Sequence, residues 1–318
     1  MTNIIMISKV EINIVGEYLM YRKSLFSSLV RAVILYMVFN SNAAFSQDTA
    51  IESDGEVPQT FDQNTIDDDY ESISLFDDEE WILTTGYDYS SGKFNLPANT
   101  NISYIPYSLR YNRGSWSLRA SSGFITFAAP KNVITAVEGA PLVTDVDLNV
   151  NDRLQNSRRS GFGDIYLSAA YSVENPYNDD FQVSVGGQIK IPTANESKGL
   201  GTGKVDYTIK TDVSYIIGDF MPFATLGYRF IGKTELFDLQ NSFFASVGAT
   251  YSITYDTTVG VSYEYRESAT PGFNSPKEIF AYTDFQLNNN WGINLYGVVG
   301  LNNVTTDYGL GTQIRYKF

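Results

Sequence analysis

The chain contains no cysteine and no histidine. The first absence excludes disulfides, thiolate nucleophiles and thiolate metal sites; the second removes the commonest general base and the commonest transition-metal ligand. Charged residues are scarce at 18% of 318, and proline is modest at ten. A hydrophobic content of 43% with mean hydropathy −0.16 does not describe a bundle of membrane helices. What the chain has instead is tyrosine (23), phenylalanine (20) and glycine (25), a composition that favours many strands joined by turns. No catalytic residue, cofactor, metal site or nucleic-acid partner is expected. Paired carboxylates could act on glycosides, but Asp206 and Asp212 fall six residues apart on one strand, about 20 Å at strand rise, too far for either glycosidase mechanism.

The N-terminus reads as an export signal over residues 1–46. Arg22, Lys23 and Arg31 form a basic region, Ala32–Phe39 an apolar core, and Ala44-Phe45-Ser46 a small-x-small cleavage site before Gln47. The uncharged apolar run is about half of what a membrane-spanning helix needs. Met1–Leu19 carries Glu11 and Glu17, which makes Met20 a candidate true start. Residues 47–80 follow with thirteen acidic residues and no Lys or Arg, so most of the formal net charge of −14 belongs to this segment. It is expected to be a disordered periplasmic segment or, alternatively, a plug for a pore.

From Trp81 to Phe318 about ten residues of period-two alternation are followed by a turn signal, twelve times over. The segments begin near Trp81, Asn101, Ser115, Gly161, Phe181, Lys204, Met221, Ser242, Thr257, Glu278, Trp291 and Asp307. In Phe181–Ile191 the apolar face carries Val183, Val185 and Ile189, opposite Gln182, Ser184, Gln188 and Lys190. A soluble sandwich and a transmembrane barrel both use such strands. The connections separate them: short turns near 112–114, 174–180, 218–220, 255–257 and 288–290 alternate with longer loops, one of about thirty residues over Ala128–Ser160. Short turns at one end, long loops at the other and aromatic residues near strand ends predict an up-and-down antiparallel β-barrel of about twelve strands in an outer membrane.

Three stretches carry a family resemblance: G-x-G-D at Gly161–Asp164, K-x-P-T at Lys190–Thr193 with the L-G-T-G-x-x-D-Y restart at Leu200–Tyr207, and P-F-A-T-x-G-Y at Pro222–Tyr228. In these the chain resembles the bacterial phenol meta-pathway (MetA-pathway of phenol degradation) outer-membrane transporters. The resemblance implies an outer-membrane barrel of a Gram-negative bacterium that passes small hydrophobic or aromatic compounds. The residues between Pro192-Thr193 and Gly199, Gly201 and Gly203 form a tight loop, either packed on the rim or folded into the mouth. The G-x-G here is followed by a strand, so it is no phosphate cradle.

By parity Asp164, Lys190, Asp206, Lys210, Asp212, Arg229, Glu264, Arg266, Asp284 and Arg315 face the barrel interior, either paired across strands or selecting permeants. Gly186, Gly227, Gly260, Gly309 and Gly311 share that face. The closing stretch Tyr308–Phe318 puts Tyr316 and Phe318 at the lipid interface, where they resemble the signal read by the barrel-assembly machinery. Expected partners are outer-membrane lipids, lipopolysaccharide, that machinery and the permeant. A surface-binding or structural barrel without transport is the alternative, with Arg153, Arg158 and Arg159 in the long loop contacting lipopolysaccharide phosphates. Hydrolase chemistry is set aside because no histidine is present to activate a serine or a water.

Overall fold

The computed structural model describes residues 79–94, 99–130, 133–137, 140–143, 156–173, 178, 180–234 and 238–318. The expected signal peptide, nearly all of the acidic segment and Arg153 lie outside the described residues. The alternating segments form strands β1 (Glu80–Gly92), β2 (Thr100–Arg113), β3 (Trp116–Pro130), β4 (Val133–Val137), β5 (Ala140–Val143), β6 (Asn156–Phe162), β7 (Ile165–Val173) and β8 (Phe181–Ile191). After a 3-10 turn at Glu196–Lys198 come β9 (Asp206–Tyr215), β10 (Phe220–Phe230), β11 (Ser242–Thr254), β12 (Thr257–Arg266), β13 (Lys277–Gln286), β14 (Trp291–Gly300) and β15 (Tyr308–Lys317).

Each wall strand pairs antiparallel with its neighbours, and β1 pairs with both β2 and β15, so the sheet closes on itself. Closure removes every edge, which a sheet in hydrocarbon requires because no water is there to satisfy a free ladder. β6 and β7 both lie along β3 and together supply one wall strand, which makes a closed twelve-strand antiparallel barrel; β4 and β5 pair only with each other.

That fourth wall strand differs from the sequence reading. It starts at Asn156 rather than near Gly161, β3 runs on to Pro130, and the connection expected over Ala128–Ser160 is shorter and contains the β4–β5 hairpin. Between the pairs Phe124↔Phe162 and Ser121↔Tyr166, three steps along β3 answer to four along its partner. The extra residue is a bulge at Gly163-Asp164, so G-x-G-D interrupts a strand instead of opening one. A one-residue slip swaps the faces: Arg159 points inward from β6, and Tyr166 and Ser168 point inward from β7.

The outer face is apolar and uncovered, with Leu226, Val247, Ile209 and Leu310 between 55% and 65% exposed. An apolar belt of this extent has no place in water and fits lipid. Aromatic pairs border it at both ends. Trp81–Tyr111 (4.6 Å), Trp116–Tyr171 (5.0 Å), Phe181–Tyr215 (6.5 Å) and Trp291–Tyr316 (4.7 Å) ring the end with short turns. Tyr89–Tyr308, Phe124–Phe162 and Tyr228–Phe230 stand toward the end with long loops. These are the interface girdles of a membrane barrel.

Candidate functional site

Two of the three family stretches, Gly161–Asp164 and Lys190–Thr193 with Leu200–Tyr207, meet at one point of the wall. Lys190 on β8 places Nζ 2.6 Å from Asp206 Oδ2 on β9 and 3.7 Å from Asp164 Oδ2 at the bulge, and donates to Thr202 Oγ1 at 3.2 Å. All four side chains are buried. An ion group so enclosed survives only with its remaining valences filled, and backbone amides fill them: Ala194 N–H donates to Asp164 Oδ1 (3.0 Å) and Gly232 N–H to Asp206 Oδ1 (2.8 Å). Thr193 Oγ1 donates to the Gly163 carbonyl at 2.8 Å. Asp164 and Lys190 therefore serve less as free charges in a lumen than as a clamp on the loop that joins β8 to β9.

The clamped loop turns through Asn195, whose side chain accepts from Lys198 N–H at 3.0 Å, and through Gly199 (φ 66°) and Gly203 (φ 66°), where an L side chain is strained. Gly201 has a different reason: a Cβ there would overlap Ala194 and crowd the Asp164 carboxylate. The outcome is that Leu200, fully buried, packs against Ile102, Tyr104, Ile125, Phe127 and Ala129, with Phe94 and Ala194 beside them. By register those β2 and β3 side chains face inward, so Pro192, Thr193, Gly199, Gly201 and Gly203 carry an apolar side chain onto the inner wall at the long-loop end. Arg159 stacks over Phe127 at 4.9 Å and donates to the Lys198 carbonyl at 3.5 Å.

The other polar residues read from the sequence also lie on the inner face by register. Lys210 Nζ is 3.3 Å from Asp212 Oδ2, and Thr225 Oγ1 donates to Asp212 Oδ1 at 2.6 Å. Arg315 grips Asp284 with two bonds of 2.7 and 2.8 Å. Arg266 pairs with Glu278, while Ser262 Oγ donates to Glu264 at 3.4 Å. Arg229 reaches Thr208 Oγ1 at 3.4 Å and lies 5.6 Å over the Phe244 ring. Opposite charges thus neutralise one another within β9 (Lys210 and Asp212), between the neighbours β12 and β13 (Arg266 and Glu278) and over β14 (Arg315 and Asp284).

Sequence reasoning missed the aromatic part of the wall. Tyr104, Phe127, Phe244, Phe280, Tyr282 and Tyr296 all face inward. Several lie flat on a glycine of the next strand: Tyr104 on Gly123, Phe244 on Gly227, Tyr282 on Gly260 and Tyr296 on Gly311. Phe280 stands 5.8 Å from Tyr282 and 5.5 Å from Tyr296, with Val298 completing the cluster. These four glycines are therefore seats for rings, which keeps the rings against the wall. The signal was present: Phe280 and Tyr282 share parity with Glu278 and Asp284, and Gly227, Gly260 and Gly311 fall opposite an aromatic in register, whereas Gly123 falls opposite Pro106 and takes Tyr104 diagonally.

Tyr316 pairs with Leu83 and Trp291, and Phe318 N–H donates to the Trp81 carbonyl at 2.9 Å, so both belong to the seam between last and first strands. Among the described residues no group of His, Cys, Asp or Glu could hold a metal ion.

Among solved structures, an outer-membrane channel from Pseudomonas putida F1 superimposes with a TM-score of 0.54 at 10% identity, over 80% of this chain and 100% of that one. The likeness is one of fold. A KdgM porin in complex with disordered oligogalacturonate scores 0.46 at 9% identity (74% and 99% covered), and a CymD monoaromatic hydrocarbon channel 0.39 at 9% (76% and 88%). No curated protein matches the sequence. The sequence profile of one family matches residues 82–318, the whole barrel from β1 to Phe318. The chain belongs to the family described as "Putative MetA-pathway of phenol degradation".

Proposed function

We propose that this protein is an outer-membrane channel giving passive passage to small hydrophobic or aromatic compounds. One observation carries the reading: inside an apolar-skinned barrel, aromatic rings seated on glycines line part of the inner wall, and Leu200 is held against the same wall at the long-loop end. A polar pore for ions has no use for such a lining, whereas an apolar solute gains from it at each step. In this reading the long loops face outward and the short turns face the periplasm. The paired charges beside the aromatic wall keep the passage neutral, and the clamped loop sets its entrance. The chain reaches the membrane through a cleaved signal over 1–46, and the acidic segment 47–80 remains on the periplasmic side as a tail or enters as a plug. Tyr316 and Phe318 present the barrel to its assembly machinery, and lipopolysaccharide contacts the outer rim.

Conductance of the purified protein in planar bilayers, together with swelling of liposomes in aromatic solutes, checks the proposal. Channel activity, and slower uptake of aromatics by a deletion strain, are the expected results. Absence of both would favour a surface-binding or structural barrel.

A further inference from the structure

Two neighbouring arginines of β6 take opposite sides of the wall. Arg159 points inward and donates to the Lys198 carbonyl. Arg158 is in register with Ala128, as Phe162 is with Phe124, so it points outward, and it is exposed. Lys198, in the clamped loop between β8 and β9, is exposed as well, and its Nζ lies 3.4 Å from the carbonyl of Ser160, two residues along β6 from Arg158. Two residues of strand cover about 6.6 Å, so a guanidinium and an ammonium share one spot at the long-loop end. Neither has a carboxylate partner among the described residues, whereas Arg113 and Lys317 at the short-turn end are paired with Glu79 and Glu80. On the same outer face Phe162 and Phe124 follow, with ring centroids 5.0 Å apart, and then Leu167, 43% exposed in the apolar belt.

Two cations above an aromatic girdle and an apolar belt fit a ligand with an oxyanion at one end and acyl chains at the other. Arginine offers a phosphate a flat fork of donors and lysine a point charge, while girdle and belt receive the chains. A free phosphate would use only the first half of this surface. We propose that Arg158 and Lys198 form the seat of a phosphate group of lipid A, the membrane anchor of lipopolysaccharide, and that the bound lipid fastens the mouth loop from outside the barrel. Resting on the channel reading above, with its long loops outward, this names the lipid site and ties it to the entrance. The coupling lies in the chain itself: only Gly199 separates Lys198, exposed beside the outer face, from Leu200, buried against the inner wall. A lipid that holds Lys198 therefore steadies Leu200.

The test uses the purified full-length barrel in detergent micelles and three probes: lipid A with both phosphates, the same lipid dephosphorylated, and inorganic phosphate, with bound lipid counted by native mass spectrometry. Wild type is expected to bind the phosphorylated lipid about tenfold or more tightly than the dephosphorylated one, the effect of charge-assisted hydrogen bonds to one phosphate. Arg158→Gln and Lys198→Gln are each expected to remove most of that preference, and Arg158→Lys to keep part of it, because the charge stays and the fork is lost. Lys277→Gln, at an exposed cation elsewhere on the long-loop end, is expected to leave it unchanged. Folding of each variant is checked by its heat-modifiable mobility in electrophoresis. In bilayers, lipid A should lengthen the dwell of wild type at its main conductance level and leave that of Lys198→Gln as it was; an equal effect on both overturns the coupling. Equal binding of the two lipids by wild type, full preference in folded Arg158→Gln and Lys198→Gln, or an equal loss in Lys277→Gln overturns the seat. Displacement of the lipid by inorganic phosphate at the same concentration would make this a site for the free ion and overturn the lipid assignment. If wild type conducts but shows no preference, the inference falls and the channel reading stands; if it shows the preference but never conducts, the seat stands and the channel reading falls.

Discussion

The most consequential residue is Lys190, because among the described residues it is the one cation between two buried carboxylates. Lys190→Met would leave Asp164 and Asp206 facing each other without compensation, and breaking a buried ion pair from one side costs about 3–5 kcal/mol. Urea unfolding of the refolded barrel should show a loss of that order, and replacing all three residues by apolar ones of similar volume should recover much of it. A single-variant loss below about 1 kcal/mol would mean that the clamp does not hold the loop. Gly227 gives a second prediction. A Cβ there would overlap the Phe244 ring, so Gly227→Val must drive the ring off its seat into the lumen. We expect lower single-channel conductance with a stability cost of about 1–3 kcal/mol, the usual effect of overpacking; unchanged conductance would show that Phe244 does not border the path.

At the scale of the element, the connection between β8 and β9 matters most. It spans residues 192–205, carries its own 3-10 turn, and is tied to the barrel at Asp164, Lys190 and Gly163. Leu200 is its payload on the inner wall. Leu200→Ala should destabilise the barrel by about 2–5 kcal/mol, as for other fully buried leucines, and replacing residues 195–201 by a short Gly-Ser linker should raise conductance. If the linker variant folds and conducts like wild type, the loop belongs to the rim and sets no entrance. The bulge at Gly163-Asp164 is the other element with a function. By adding one residue it turns Asp164 toward Lys190, which an unbroken β6–β7 strand would not do.

For the whole molecule, closure between β1 and β15 is the critical event, and Phe318 lies at that seam through its bond to Trp81 and its ring contact of 4.8 Å with Tyr316. Deleting Phe318 should lower the amount of barrel in the outer membrane while leaving the conductance of each assembled molecule close to wild type. Quantitative blotting of membrane fractions beside single-channel recording checks both halves, and normal membrane yield would sink the assembly role.

Much of this architecture is legible in the order of residues. Alternation of apolar and polar side chains has the period of a strand, and hydrocarbon tolerates a sheet only if it closes, so strand number, inward parity of the ten charged residues and the placing of short turns follow without coordinates. Tyr282 and Phe280 are legible by the same parity, which puts them on the inner face with Glu278 and Asp284. The bulge was not legible, since one inserted residue changes every side chain beyond it yet leaves local composition the same. Nor were the partners of Lys190 or the seat of each ring, because these are contacts between strands far apart in the chain. Sequence by itself determined that this protein is a barrel with an apolar skin and a mixed interior. Only the tertiary structure decided which interior groups meet, because register and bulge, not pattern, set the few ångströms over which an ion pair, a ring contact or a hydrogen bond exists.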